Sequence, residues 1–378
     1  MLTDVSRRRD FPSLADRTYL NTAAEGIPPI FVEEELGNYI RDKRIGMDGR
    51  TRHAEQWEAV KQHAAVFFGL TPAEVGICSC SSEAFNLAAL ALRPKPGDEV
   101  VVNDLDFPAA TTPWLQPDNP ATPRVWRNRA GALRTADLVP LLGPRTRLVT
   151  VSLVSFFNGY TIDLADVVAA VRKHSPALVA VDVTQALGRI SLDLAGADLI
   201  VSSTHKWLLG PHGGGLVGVP RARAAEWTVP AGGWFHLADA FGPDRFERAA
   251  SKPGAASFSV GMPNYPAVYG VRAALEYIGG VGVENIDRVA RPLVRHCLEE
   301  LKKLPVELLT PDDPDHLAGI VAFRHPRAER INEFLHERDV HVMSHAGRLR
   351  VAVHGYNTAA DIERFVVVLV EALRAVGG

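Results

Sequence analysis

The run VSSTHKWLLGPHGGGLVGV, residues 201–219, holds two competing chemical signals. Gly213, Gly215 and Gly218 satisfy the G-x-G-x-x-G spacing of a dinucleotide-binding turn, and Lys206 ends the group SSTHK. A dinucleotide turn needs a strand before it, a helix after it and an acidic residue about 20 positions on. Here the glycines lead into LVGV, which reads as a strand stopped by Pro220. No helix opens at Gly218 to receive a pyrophosphate. The glycines read better as a tight turn beneath a ligand-bearing segment.

The lysine has better company. Asp182 closes the apolar run ALVAVD, and Gln185 follows three residues later. Ser203 and His205 directly precede Lys206, while Ser81 and Ser82 open a helix-like segment after EVGICSC. A helix N-terminus attracts phosphate through free N–H groups and its dipole. A lysine amine condenses with an aldehyde, and a buried acid keeps a ring nitrogen protonated. Together these are the requirements of pyridoxal 5'-phosphate.

The elements that must position these groups are legible. From about Glu74 to Val219, short β-branched runs alternate with helix-like segments, the pattern of βαβ units on a mostly parallel sheet. EVGICSC, DEVVVNDLDF, TRLVTVSLVSF, PALVAVDVTQA and ADLIVSSTH each turn polar just past a strand's C-terminal end. Ligands bind at that edge in open α/β sheets, so the candidate residues should converge there. Beyond Pro253 come amphipathic helices, the strand pair GIVAFRH and GRLRVAVHGY, and the final helix AADIERFVVVLVEALRAV. We expect a large α/β domain over 15–255 and a small α+β domain over 256–378, the latter joined by the N-terminal segment 1–30. The Pro/Gly-rich tract Gly232–Pro266 would connect them.

Composition narrows the class. The 378 residues are 47% hydrophobic and 22% charged, with Lys+Arg 41 against Asp+Glu 44. A net charge of -3 offers nothing to hold a polyanion, so nucleic acid is not an expected partner. Three cysteines suit a reducing compartment rather than a disulfide framework. The opening residues carry no apolar signal region, and no apolar run is long enough to span a bilayer. The expected setting is cytoplasmic, with no membrane.

In order, YLNTAAEGIPP, SSEAFNL, VDVTQALG, SSTHKWLLGPHGGGLVG, GMPNYPAVYG and RLRVAVHGYNTAADIERF resemble the class V aminotransferase family. That family of fold-type I enzymes includes cysteine desulfurases, selenocysteine lyases and isopenicillin N epimerase. The resemblance covers nearly the whole chain. It implies a mostly parallel central sheet with a smaller C-terminal α+β domain, a homodimer, and pyridoxal 5'-phosphate acting on a small-molecule amino-acid substrate. By the same resemblance Lys206 carries the internal aldimine, Asp182 pairs with the pyridine nitrogen and Gln185 reaches the ring hydroxyl. Ser82, Ser203 and His205 would hold the phosphate, with Ser81 beside them at the helix start. The pattern R-x-x-x-H-x-Y-N-T places Arg350 on the substrate carboxylate, a role suited to a guanidinium fork. Arg348 shares its strand face and competes for that role. Asn158 and His354 are further candidate substrate contacts.

The chain also departs from the family. Phe107 stands where a histidine stacks on the cofactor ring; it can sandwich the ring but cannot transfer protons. His354, His236 and Tyr265 are candidates to help Lys206. Phe156 takes the slot of an asparagine that lies near the ring hydroxyl, with Asn158 two residues on. Met262 replaces a threonine whose hydroxyl reaches the phosphate across the dimer, leaving Ser257 or Ser259 as substitutes. Desulfurases need a loop thiol, yet Cys78 and Cys80 sit in a strand-like run and Cys297 in a helix-like one. Persulfide chemistry is therefore disfavoured. No metal site is expected: His341 and His345 have helical spacing in a strand-like context, and His205 and His212 flank a turn. The first reading is a C–S lyase of secondary metabolism, releasing thiol from a cysteine S-conjugate by β-elimination. Alternatives are isopenicillin N epimerase-like racemisation, decarboxylation or deamination, and transamination. Side-chain specificity is assigned to loops such as Pro113–Asn128 and Gly232–Pro253.

Overall fold

A computed structural model describes residues 1–377. In chain order the strands are β1 (Thr18–Tyr19), β2 (Val75–Cys78), β3 (Glu99–Asn103), β4 (Thr122–Trp126) and β5 (Thr146–Ser152). They continue with β6 (Leu178–Asp182), β7 (Leu199–Ser203), β8 (Gly215–Gly218), β9 (Glu307–Leu308) and β10 (Ile320–Arg324). The last are β11 (Val340–His341), β12 (Met343–His345) and β13 (Arg348–Ala352). The central sheet runs β2-β8-β7-β6-β5-β3-β4, and β8 alone is antiparallel to the rest.

Strict alternation explains how that sheet is buried. Val101, Val149, Val151, Val179, Val181, Ile200 and Leu216 point into one apolar cluster. Their neighbours Val100, Val102, Leu148, Leu178, Ala180, Leu199, Val201 and Val217 point into another on the opposite face. Both faces are dry, which is why these strands read as continuous apolar runs. Each fully buried Val or Leu contributes about 1.5–3 kcal/mol relative to exposure. The outermost strand β4 lies inside the segment expected to be a loop. Its sequence TPRVW is half exposed, and an edge position tolerates the missing N–H of Pro123.

The glycine run turns at Gly213 (φ +81°) and enters β8, with no helix following. A Cβ on Gly215 would stand 2.8 Å from Cys78 Sγ, so the run lets β8 lie tightly against β2. Helix Tyr265–Val281 packs on helices Ile30–Arg44 and Gly49–Phe68. A third apolar cluster lies between the antiparallel sheet β12-β13-β10-β9 and helices Val283–Lys302, Ala328–His336 and Ala359–Gly377. The N-terminal segment is tied to this unit. There β1 pairs parallel with β11, and Asn21 bridges to Ala352 at the end of β13.

Candidate active site

Lys206 lies three residues beyond β7, in a turn closed by Leu209 N–H donating to the Lys206 carbonyl (3.0 Å). Its Nζ sits 5.0 Å from the centroid of the Phe107 ring, which is 41% exposed. The Phe156 ring meets Phe107 edge-on, with centroids 5.1 Å apart. Burial pulls the Lys206 ammonium down to about 8; Asp182 and Glu25 oppose the shift and Arg350 adds to it. At neutral pH roughly a tenth of this amine is free of its proton, against less than a thousandth for an ordinary lysine.

Asp182 ends β6 with its carboxyl buried. Burial raises its pKa, while Thr184 hydrogen bonds and the Lys206 charge pull the other way. A hydrogen-bonded chain leaves this acid. Thr184 N–H donates to Asp182 Oδ1 (2.7 Å), and Ser203 N–H donates to Thr184 Oγ1 (3.0 Å). Ser203 Oγ then accepts Ser81 N–H (3.1 Å) and donates to Ser81 Oγ (2.9 Å). Ser81 opens the helix Ser81–Leu92, whose N-cap Cys80 makes no side-chain cap. Ser82 is exposed beside it. His205 stacks on His212 at 4.7 Å, and burial takes it down to about 4, so its ring is neutral.

Arg348 and Arg350 occupy one face of β13, each 3% exposed. Arg350 donates through Nη1 to the Phe156 carbonyl (2.8 Å), and Arg348 through Nη1 to the Phe157 carbonyl (2.7 Å). Burial lowers Arg350 to about 9, with Arg348 adding repulsion, and lowers Arg348 to about 10. Both stay cationic at neutral pH.

A family model, aminotransferase class-V, matches residues 30–365. The chain belongs to the class V aminotransferase family. A cysteine desulfurase of Yersinia pseudotuberculosis is 27% identical over 395 residues, covering 95% of each chain. Two solved structures share the fold. A cysteine desulfurase from Thermococcus onnurineus NA1 superposes with TM-score 0.89 at 22% identity, covering 99% of each chain. The cystine C–S lyase C-DES, in complex with its product cysteine persulfide, does so with TM-score 0.86 at 24% identity, covering 95% and 98%.

This class V aminotransferase family member is an enzyme that depends on pyridoxal 5'-phosphate. Its own residues fit that group. The desolvated Lys206 amine faces an open aromatic ring, and the buried Asp182 has no cation at hydrogen-bond distance among the described residues. The serine pair at an uncapped helix start, with a neutral imidazole nearby, suits a phosphate.

Other expected contacts also have partners within the protein. Gln185, expected at the ring hydroxyl, donates to the Ala23 carbonyl (3.1 Å) and accepts the Trp207 indole N–H (2.6 Å). Asn158, expected at the substrate, donates to the Gly131 and Leu309 carbonyls and accepts Tyr160 N–H, with no exposure. His354 donates through Nε2 to the Trp207 carbonyl (2.8 Å) and accepts Gly355 N–H at Nδ1 (2.6 Å). Its ring is buried against the lysine turn, and burial holds it down to about 3. His236 lies between the Ala231 and Val260 carbonyls, and Tyr265 stacks on His53 at 4.9 Å. Ser257 and Ser259 are buried and donate to the Gly254 and Ile77 carbonyls.

The sequence reading also missed residues. Thr184 joins Asp182 to Ser203, and Trp207 ties the lysine turn to Gln185 and His354. Asp106 directly precedes Phe107; Ser152 N–H donates to its Oδ1 (2.8 Å), and its Oδ2 is buried without a partner. Burial, with nearby Asp182, pushes it up to about 7. An acid abutting the ring-stacking position was the available signal.

Proposed function

We propose that this enzyme cleaves the Cβ–S bond of a cysteine S-conjugate by β-elimination. Lys206 is the base at Cα, Asp182 the partner of the cofactor ring nitrogen, and Arg350 the clamp on the α-carboxylate. Ser81, Ser82, Ser203 and His205 hold the phosphate, and Phe107 covers the ring. The single observation that carries the reading is the environment of Lys206. Its amine, brought down to about 8, faces the phenyl ring of Phe107, which has no proton to exchange and is backed edge-on by Phe156. One base suffices for elimination.

When bound, the cofactor supplies the electron sink that eases removal of the Cα proton. The Lys206 amine takes that proton, and the electron pair left behind forms the Cα–Cβ double bond as Cβ–S breaks. The leaving thiolate takes the proton back from the Lys206 ammonium. The products are a thiol and 2-aminoacrylate, which water converts to pyruvate and ammonia. Arg350 orients the substrate so that the Cα–H bond meets the amine.

Persulfide transfer needs an accessible thiolate. Cys297 is buried in the small-domain core and pushed up to about 12, and burial raises Cys78 further. Cys80 immediately precedes the helix Ser81–Leu92 rather than standing on a late loop. The C–S lyase named among the solved structures indicates that such a fold hosts this cleavage in that protein. Incubating the holoenzyme should release pyruvate with ethanethiol from S-ethylcysteine, with free cysteine persulfide from cystine and with hydrogen sulfide from cysteine. Alanine with an enzyme-bound persulfide, or a D-amino acid alone, would overturn the proposal.

We also propose a cytoplasmic homodimer. The exposed Met262, Phe241 and Phe246 support self-association, and three free cysteines suit a reducing setting. No helix among the described residues is long and apolar enough to cross a membrane. Light scattering of the holoenzyme should give twice the 41.0 kDa chain mass.

A further inference from the structure

We propose that Arg348 is a second anion-binding residue, so that the preferred substrate is an amino acid whose side chain carries its own acidic group. The inference deepens the reading of this site as the amino-acid pocket, and it rests on that reading for the role of Arg350.

Arg189 shows how the protein treats a buried arginine that serves structure alone. Its guanidinium donates to Asp287 (2.7 Å) and to the carbonyls of Val353 (2.9 Å) and Ala318 (3.3 Å). Arg348 and Arg350 are handled differently. Neither has a carboxylate within ion-pair distance among the described residues, and the Nε of each is buried without a partner. Each makes a single hydrogen bond, to one backbone carbonyl, although a guanidinium has five N–H donors. Two like charges therefore sit side by side, desolvated and with most donors free, which is unfavourable until an anion arrives.

The surroundings of Arg348 are cationic or aromatic. Its guanidinium lies 4.3 Å from the Phe157 centroid and 5.4 Å from that of Phe156. Phe156 in turn contacts Phe107 beneath the Lys206 amine. On the flanking strands the residues opposite Arg348 are Arg324 and His345. Arg324 faces Glu307 instead, at 3.7 Å. An anion held by Arg348 would thus share the aromatic wall that borders the reacting centre.

Positions two apart on a strand are about 6.6 Å from each other. With the α-carboxylate on Arg350, that spacing places a second carboxylate a few bonds beyond Cβ. An S-carboxymethyl group, or the γ-carboxylate of glutamate, has the required reach. In the elimination proposed above, the acidic group would leave with the sulfur.

The test uses matched acid and amide pairs on the holoenzyme. Glutamate against glutamine is titrated through the visible absorption of the bound cofactor, which reads binding whether or not any bond is cleaved. S-carboxymethylcysteine against its carbamoylmethyl analogue is compared by kcat/KM. The wild-type protein should prefer the acid about 10–100-fold in both, the worth of one charged hydrogen-bonded contact. Arg348→Gln should bring the acid-to-amide ratio within about twofold, and Arg348→Lys should restore part of it. A wild-type protein that treats acid and amide alike overturns the proposal without any variant. So does a folded Arg348→Gln protein that keeps the full preference. If glutamate is preferred but no thiol is ever released, the anion site stands and the lyase reading fails.

Discussion

Lys206 Nζ and the Phe107 ring face each other at 5.0 Å, an amine over an aromatic plane where a proton-carrying imidazole would serve other chemistry. The phenyl ring can hold a flat cofactor but leaves acid–base work to the lysine. Loss of that lysine should therefore cost turnover by about 10²–10⁴-fold or more, measured as pyruvate release by Lys206→Ala. A variant with near wild-type turnover would remove Lys206 from the mechanism.

The same lysine makes cofactor loading sensitive to pH. Condensation needs the neutral amine, and burial holds this one down to about 8. Reloading of the apoprotein should accelerate about tenfold per pH unit below that value and level off above it. A flat profile between pH 6 and 8 would contradict the desolvated amine.

Asp106 makes a prediction about stability. With its carboxyl pushed up to about 7, the native state keeps a proton between about pH 4 and 7 that the unfolded chain has released. Stability should thus fall as pH rises through that window. Asp106→Asn removes the penalty, so its Tm should gain on wild type by roughly 2–4 °C or more between pH 5 and pH 8. A pH-independent difference would mean that the acid is ionised throughout.

Gly26 tests the backbone under the lysine. Its N–H donates to the His205 carbonyl (2.8 Å), and a Cβ there would stand 1.9 Å from the Lys206 carbonyl oxygen. Gly26→Ala must displace the lysine turn, at a cost of about 1–3 kcal/mol or more. A lowered Tm and loss of cofactor on gel filtration are expected. Retention of both would show that the turn adapts.

The cysteines separate elimination from persulfide transfer. A triple variant (Cys78→Ala, Cys80→Ser, Cys297→Ala) should still form pyruvate from S-ethylcysteine, since no thiol accepts sulfur in the proposed reaction. Complete loss of sulfur release in a folded, cofactor-loaded variant would restore the persulfide route.

Much of the architecture was legible before folding. The strands of the parallel sheet announce themselves because both faces are buried, and the lysine, aspartate and serines stand out as polar residues at strand ends. The edge strand β4 escaped notice, because a half-exposed strand with an internal proline has neither alternation nor an apolar run. Gln185, Asn158 and His354 also have protein partners that residue spacing does not reveal. Those partners, Ala23, Leu309 and Trp207, lie 147 to 162 positions away in the chain.

Residue order alone therefore determines the sheet, the cofactor class and the lysine, because periodicity and strand-end polarity are local properties of the chain. Which polar side chains remain free to bind a ligand is a different matter. That depends on every donor and acceptor brought within about 3 Å by packing. Folding gives Gln185, Asn158 and His354 partners within the protein. It leaves Arg348 and Arg350 buried, charged and unpaired beside the same aromatic wall.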